Sequence, residues 1–180
     1  MQNSEALKVA GIVRDAGGRI VGRTRLQKTA YLLTLAGLED GLSFSYKHYG
    51  PYSEAVAEGA RVAGLFNLVT ESEGKASWGG FYSTYELAPA GEEALPSTDP
   101  ATEASRRALA VIAADANAVV LELAATAAYL AAEENHATPW AETARRKPEK
   151  AGEGRIDEAR RLYDRLRKVS TPRPLPEIVD

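Results

Sequence analysis

Apolar residues recur at helical spacing between Thr24 and Leu38, and they cover so much of the helix surface that the segment predicts a core helix. The residues of this apolar surface are Leu26, Ala30, Tyr31, Leu33, Leu35 and Leu38. Thr24 and Gln27 have the spacing of a capping box, in which a hydroxyl and an amide each satisfy a free backbone N–H at the helix start. We expect the other elements of the chain to pack on this helix.

The pattern before this helix predicts one more helix and a link. Apolar positions over residues 4–15 have helical spacing, and Ser4 is a suitable N-cap. Gly17 and Gly18 end that helix because glycine readily adopts the left-handed conformation of a C-terminal cap. Residues 19–22 are then a short extended connection to the core helix.

After the core helix the period changes from helical to alternating. Residues 42–49 alternate in part between apolar and polar side chains, which predicts a short strand or extended arm. The Gly50-Pro51 pair is a typical break and ends it. Ser53 is placed to cap a third helix that runs to about residue 65, because its hydroxyl can accept a hydrogen bond from an N–H of the first turn.

A β-hairpin follows the third helix. Residues 68–70 and the aromatic, β-branched residues 81–87 are its two arms, and the polar, glycine-containing residues 71–80 form its tip. One further helical turn lies at residues 88–95. Three helices followed by a two-stranded hairpin is the order of a winged helix, so residues 1–95 predict a winged-helix-like domain. The alternative is another small α+β domain.

The second half of the chain is predicted to be helical. Residues 96–100 are the best domain boundary, because proline and polar residues interrupt the pattern there. Beyond it we expect a helical C-terminal region, residues 101–170, packed on the first domain. Its predicted helices cover residues 103–134, with a break at Asp115 or Asn117, residues 140–146, with Thr138 as cap and Pro139 in the first turn, and residues 155–169. Residues 171–180 predict an extended proline-rich tail. The fold class is therefore mainly α with a small β-hairpin, an α+β protein.

Composition narrows the classes of function. The chain has 180 residues, no cysteine and a formal net charge of −3. The lack of cysteine excludes disulfides and thiolate-bound metals and suits a cytoplasmic protein. The N-terminus lacks the order of a signal peptide, and the most apolar run is too polar for a membrane span, so we expect no membrane association. The negative net charge gives no overall attraction to nucleic acid.

No set of catalytic residues assembles from the sequence, and we expect no enzymatic activity, cofactor or metal. Glu133 and His136 have a spacing found in di-metal bundles, but such sites need a second copy and further glutamates, so a solvated helix end is the simpler interpretation. His48 lies between aromatic residues without an evident acidic partner. A packing histidine therefore fits the pattern better than a general base.

Basic and aromatic residues offer two kinds of binding surface. Arg19, Arg23, Arg25, Lys28 and Lys47 cluster in the first third of the chain and are candidate phosphate contacts. The helix in the recognition position carries mainly carboxylates, Glu54 and Glu58, on its polar side, which would repel DNA. Trp78, in a glycine-flanked tip, is a candidate exposed aromatic residue at a protein contact. The excess of basic residues over residues 145–168 fits either a solvated helix face or a surface for an acidic partner.

Two motifs carry a resemblance to a known family. Leu26-Gln27-Lys28 is followed about twenty residues later by Tyr49-Gly50-Pro51, and the pair is more specific than either half. Further matching residues are 22–28, 31–32, 44–53, 85–87 and 91, with residues 123–130 and 146–148 in the second half. On these residues the chain resembles the YwgA-like family of small bacterial proteins, which is related to the Panacea (SocA-like) antitoxin domain.

The resemblance implies a winged-helix-like fold and a role as an antitoxin or adaptor in phage-defence or mobile-element systems. The leading hypothesis is therefore a non-enzymatic interaction module that binds a protein partner, a toxin or a defence-complex subunit. Its candidate contact residues are Arg25, Lys28, His48, Tyr49, Tyr52, Ser53 and Trp78. The alternative is a winged-helix DNA-binding transcriptional regulator that uses the basic residues named above. A homodimer is compatible with both hypotheses.

Overall fold

The computed structural model describes residues 2–180 and has a mainly helical α+β architecture, as the sequence predicts. Its helices are α1 (Gln2–Asp15), α2 (Arg23–Leu35), α3 (Glu54–Leu65), α4 (Pro89–Ala94), α5 (Pro100–Asp115), α6 (Ala118–Ala132), α7 (Pro139–Arg146) and α8 (Arg155–Arg167). Its strands are β1 (Arg19–Val21), β2 (Ser45–Lys47), β3 (Gly50–Tyr52), β4 (Val69–Lys75) and β5 (Phe81–Leu87). Within residues 2–180 no helix combines the length and apolarity needed to cross a membrane.

Helix α2 is the buried centre of the molecule, as its pattern predicts. Every residue from Leu26 to Leu33 is buried, so protein surrounds the helix on all sides over two turns. It contacts α5 and α6 from the second half of the chain, as well as strand β3. The second half therefore packs directly on the core helix of the first.

The predicted capping box of α2 is wrong. The helix begins at Arg23, its N-cap position is Gly22 with φ 92°, and no side chain caps it. The Gln27 side chain instead bonds Ser53 from both ends: its amide donates to the Ser53 carbonyl and its carbonyl accepts from the Ser53 N–H, each at 2.9 Å. A buried amide satisfies two buried backbone groups in this way, which outweighs local capping.

The caps of the neighbouring helices differ in outcome. The Ser53 Oγ accepts from the Val56 N–H at 3.2 Å and caps α3 as predicted. Helix α1 begins at Gln2, so Ser4 lies inside the helix and the predicted cap there is wrong. Gly17 and Gly18 follow α1 at φ 100° and 91°, in agreement with the predicted glycine stop.

The hairpin belongs to a three-stranded antiparallel sheet in the order β1-β5-β4. The segment predicted as an extended link is strand β1, which pairs with residues 84–86 of β5. Strand β4 reaches Lys75, which pairs with Phe81, so the loop at the tip is shorter than predicted. The sheet and the preceding helices agree with the α+β prediction, and the winged-helix assignment stays a prediction.

A second ribbon corrects the prediction that Gly50-Pro51 breaks the chain. These residues begin strand β3, which pairs with β2 so that Tyr46 lies opposite Pro51. Gly50 has φ 87°, and a Cβ there would lie 2.4 Å from Thr126 Oγ, so only glycine fits. Strand β3, which follows the His48-Tyr49 turn, is thereby held against helix α6.

In the second half, α5 and α6 separate at the predicted break. Asn117 Oδ1 accepts from the N–H groups of Val119 and Val120 and caps α6. The guanidinium of Arg106 on α5 is buried and binds Asp15 of α1 at 2.6 Å and Glu39 at 3.1 Å. This ion-paired bridge fixes α5 across the first half of the molecule.

Residues 171–180 have no regular structure, as predicted, but they pack on the protein. Leu175 is buried, and the Tyr163 hydroxyl donates to the Pro176 carbonyl at 2.6 Å. The Asp180 carboxylate accepts from the N–H groups of Trp140 and Ala141 and so caps α7. Thr138 occupies the N-cap position of α7, but its side chain makes no capping bond, contrary to the prediction.

Candidate docking site

The structure separates the candidate residues into two regions. Lys28, His48, Tyr49, Tyr52 and Ser53 lie in or under the β2–β3 ribbon, which α6 supports. Arg23, Arg25 and Trp78 lie around a cleft between the start of α2 and the β4–β5 hairpin. Tyr49 reaches that cleft from the other region and lines it too. The first region contains buried lysines that bond backbone carbonyls, whereas the second region is lined by exposed aromatic side chains.

Lys28 is not part of a surface, because only 1% of it is exposed. Its Nζ donates to the Pro51 carbonyl at 2.8 Å. Burial disfavours the charged amine and lowers the pKa of Lys28 to about 7. Ser53 is also fully buried. The expectation that these two residues contact a partner is therefore corrected: both bind backbone or cap a helix inside the protein.

Lys28 belongs to a buried lysine cluster, which also contains Glu122, Lys147 and Lys150. Lys147 Nζ donates to the His48 carbonyl at 2.7 Å and lies 3.4 Å from the Glu122 carboxylate. Lys150 Nζ bonds both Glu122 oxygens, at 3.0 and 2.7 Å. Burial also lowers the pKa of Lys147. Lys28 and Lys147 thus bind carbonyls of the β2–β3 ribbon, and the buried Glu122 carboxylate pairs with Lys147 and Lys150.

The remaining residues of the ribbon are more accessible. His48 is exposed, so the prediction of a packing histidine is wrong, and Tyr49 is 60% exposed. Lys47 Nζ lies 4.4 Å from the centre of the Tyr52 ring and 2.5 Å from the Glu54 carboxylate. Lys150 Nζ lies 4.4 Å from the Tyr49 ring centre, a cation–π contact that links Tyr49 to the cluster beneath it.

The structure breaks up the predicted basic patch. Arg19 lies 3.7 Å from Glu86, and Lys47 is paired with Glu54. Arg25 donates to the carbonyls of Ala116 at 2.9 Å and Val21 at 3.0 Å, so it ties α2 to the start of α6. With Lys28 buried, Arg23 is the one member of the predicted patch, among the described residues, that is exposed without a carboxylate within 4.0 Å.

The remaining candidate surface is the second region, the cleft between the start of α2 and the β4–β5 hairpin, which we call the hairpin cleft. It has a volume of about 600 Å³ between the hairpin and the start of α2. Its lining residues are Val21, Gly22, Arg23, Thr24, Arg25, Tyr49, Glu73, Ala76, Trp78, Phe81, Tyr82, Ser83 and Ala118. The volume lies in the usual range for ligand-binding clefts.

Exposed aromatic residues dominate the hairpin side of the cleft. Trp78 is 77% exposed, Phe81 63% and Tyr82 41%. A Cβ on Gly80 would lie 1.6 Å from the Trp78 ring, so glycine at that position lets the indole lie against the turn. Large aromatic side chains are enriched at protein contacts, and a cluster of them on a surface is uncommon without a partner.

Sequence alternation alone did not identify Phe81 and Tyr82 as site residues. Phe81 lies on the same face of β5 as Tyr85, and Tyr85 is buried with 3% exposed. The two differ because the far end of the hairpin extends beyond the helices that cover Tyr85. The signal in the sequence is the Gly79-Gly80 turn beside Phe81, since residues next to a projecting turn lie outside the core.

The other candidate chemistry does not assemble into a site. Among residues 2–180, no three histidine or acidic side chains are grouped to hold a metal ion. His136 lies beyond the end of α6, 3.7 Å from Glu142, and Arg145 and Arg146 also bind that glutamate. These hydrogen bonds lower the pKa of Glu142 to about 2. Much of the basic C-terminal excess is therefore used within the protein.

Comparison with known proteins adds no family assignment. A scan against protein-family models gives no match, and no curated protein matches the sequence.

Proposed function

We propose that this chain is a non-enzymatic bacterial interaction module that docks a protein partner in the hairpin cleft. The observation that carries the proposal is the group of exposed aromatic residues, Trp78, Phe81 and Tyr82, facing Tyr49 and Arg23 across an open cleft. Burying such side chains against a partner is the main favourable term in protein association.

The class of partner is inferred from the resemblance of the Leu26-Gln27-Lys28 and Tyr49-Gly50-Pro51 motifs to the YwgA-like family. It favours a cytoplasmic adaptor or antitoxin whose partner is a toxin or a phage-defence subunit. In the structure the buried residues of both motifs hold the ribbon beside α2, and Tyr49 projects from that ribbon into the cleft. The motifs would then serve docking by fixing the wall of the cleft.

The alternative, DNA binding, has less support. Nucleic-acid affinity depends on unpaired basic side chains that can contact phosphates. Arg19, Arg25 and Lys47 are engaged by other groups of the protein, and Lys28 is buried. On α3, Arg61 is bound by Glu58 at 2.6 Å, so the helix in the recognition position offers no free base-reading side chain there.

The test is affinity capture from native cells with the wild-type chain and two variants. The double variant Trp78→Ala/Phe81→Ala removes aromatic rings from the cleft, and Phe66→Ala removes a ring that is 59% exposed at the end of α3. We expect a partner that wild type and Phe66→Ala retain and the double variant loses. Equal recovery with all three proteins, or a partner lost only with Phe66→Ala, would reject the cleft as the docking site.

A further inference from the structure

The middle strand of the sheet has an edge that its neighbour leaves open. Strand β1 pairs only with residues 84–86 of β5, because the chain turns away at Gly22 into helix α2. Strand β4 pairs with β5 along its whole length on the other side. Residues 81–83 therefore have a strand on one side and the hairpin cleft on the other.

Hydrogen bonds show which backbone groups face the cleft. The Gly80 carbonyl accepts from Ala76, and the Ala88 N–H donates to Leu68, so even-numbered residues bond on the β4 side. The Leu87 N–H donates to Gly18 and the Ser83 carbonyl accepts from Gly22, so odd-numbered residues bond on the β1 side. Gly22 lies opposite Ser83, which is buried, so the alternation points the N–H and C=O of Phe81 past the end of β1.

We infer that the partner docks in the hairpin cleft by adding an extended, acidic segment as a strand beside residues 81–83 of β5. The inference rests on the proposed function and specifies its binding mode. An added strand would continue the line of β1 and bond the open N–H and C=O of Phe81. Strand addition takes its affinity from such main-chain bonds and its specificity from alternate side chains.

The charge of the cleft selects an acidic segment. Arg23 has no carboxylate within 4.0 Å among the described residues. The guanidinium of Arg25 binds two neutral carbonyls, so its charge is also uncompensated at close range. Glu73 is the one carboxylate in the lining, which leaves an excess of positive charge. An Asp or Glu in the added segment complements this excess, and apolar neighbours would pack on Trp78 and Tyr49.

The open edge of β5 also lacks the features that usually prevent an edge strand from pairing with another chain. Natural edge strands usually carry inward charges, prolines or covering loops that prevent pairing with another chain. On the outer edge of the sheet, β4 carries exposed Glu71, Glu73 and Lys75. The open part of β5 instead carries Phe81 and Tyr82, which suits a segment that binds there.

The probes are synthetic extended heptapeptides that alternate Val and Thr and carry two Asp, two Lys or two Ser substitutions at the Thr positions. They are titrated into ¹⁵N-labelled protein, and amide shifts report the site. We expect the Asp peptides to bind more tightly than the Lys peptides and to shift the amides of Phe81 and Ser83. No binding by any of the peptides, or tighter binding of the Lys peptides, would overturn the inference.

N-methylation of alternate residues tests strand addition itself. Methyl groups on one set of alternate residues remove every N–H on one edge of the peptide, whereas methyl groups on the other set leave that edge intact. Methylation of the set whose N–H groups face β5 should weaken binding about tenfold or more, and methylation of the other set should weaken it far less. Equal binding of both methylated frames would overturn strand addition.

A matched pair of protein variants tests the same bond from the other side. Phe81→Ala and Phe81→Pro both remove the ring, but only proline removes the N–H that faces the cleft. Phe81 is the first residue of β5, where proline is tolerated, and its N–H is not used in pairing with β4. We expect Phe81→Pro to bind the Asp peptide several-fold more weakly than Phe81→Ala, with circular dichroism confirming that both fold; equal binding would contradict the inference.

These outcomes separate the inference from the proposed function. One outcome would support the docking site but reject strand addition. In it, the Trp78→Ala/Phe81→Ala variant loses the native partner, but the peptides either do not bind or bind equally in both N-methylated forms. If the Trp78→Ala/Phe81→Ala variant binds both the partner and the peptides as wild type does, the docking site and strand addition are both rejected.

Discussion

The ribbon over the buried lysine cluster and the hairpin cleft lie side by side and use their polar groups in opposite ways. Under the ribbon, Lys147 and Lys28 bind the carbonyls of His48 and Pro51, and Glu122 pairs with Lys147 and Lys150. In the cleft, aromatic rings face solvent, and Phe81 has no strand partner on the β1 side of β5. The region with the most distinctive sequence therefore has a structural role, whereas the proposed docking site has little sequence signature.

The comparison predicts its largest effect at Glu122. Glu122→Gln removes the one carboxylate that pairs with Lys147 and Lys150 under the ribbon, so we expect the unfolding free energy to fall by about 3–5 kcal/mol. Urea unfolding followed by tryptophan fluorescence measures the loss. Glu149→Gln, at an exposed neighbour of Lys150, is the matched control and should change stability by less than about 0.5 kcal/mol. Similar losses in both variants would show that the cluster is not a structural centre.

The second prediction compares the loss of unfolding free energy at the two residues of the expected capping box, Gln27 and Thr24. Gln27→Ala leaves the buried Ser53 N–H without a partner and removes one of the two hydrogen bonds to the Ser53 carbonyl, which still accepts from the Ala57 N–H, so it should cost about 2–3 kcal/mol of unfolding free energy. Thr24→Ala removes a hydroxyl that makes no capping bond and should cost less than about 0.5 kcal/mol. Both values come from urea titrations. A larger loss at Thr24 than at Gln27 would restore the capping box and contradict the observed contact.

The pKa of Lys28 predicts a dependence of stability on pH. It lies near 7 in the folded protein and at 10.5 as the ordinary value, so between these pH values the unfolded chain binds more protons. Stability should therefore rise with pH, by about 2 kcal/mol between pH 7 and 9, and Lys147 acts in the same direction. Lys28→Met should flatten most of this rise. A wild-type stability that is constant or falls over this range would contradict the charge assignment.

The smallest stability effect is expected in the cleft. Trp78→Ala removes a side chain that is 77% exposed and should change unfolding free energy by less than about 0.5 kcal/mol. The same variant should lose most of the partner binding, since exposed aromatic residues at the centre of an interface carry much of its energy. Paired unfolding and binding measurements check this. A loss of several kcal/mol in stability would make Trp78 a core residue instead.

Much of the fold follows from local pattern, and the exceptions are long-range. The apolar surface of α2, the glycine stop after α1 and the break at Asn117 each depend on residues close in sequence, and all three are confirmed. The sequence predicts a link where strand β1 lies, because three residues give little alternation. Its partner in β5 lies more than sixty positions away, which no local pattern shows.

The candidate site was harder to predict for the same reason. Lys28 and Lys47 look equivalent in sequence, yet α6 buries Lys28 under the ribbon and leaves Lys47 beside Glu54 in solvent. Trp78 was identified from its glycine neighbours, a local signal. Phe81 and Tyr82 were not, because their exposure depends on how far the sheet extends beyond the helices.

Hydrogen exchange of the complex with the captured partner tests the central claim most directly. The account predicts slower exchange at the amide of Phe81 in the complex, with unchanged exchange over helix α3 and over the β2–β3 ribbon. Protection confined to α3 or to the ribbon, with none at residues 81–83, would contradict the claim that the cleft is the docking site and the ribbon its structural support.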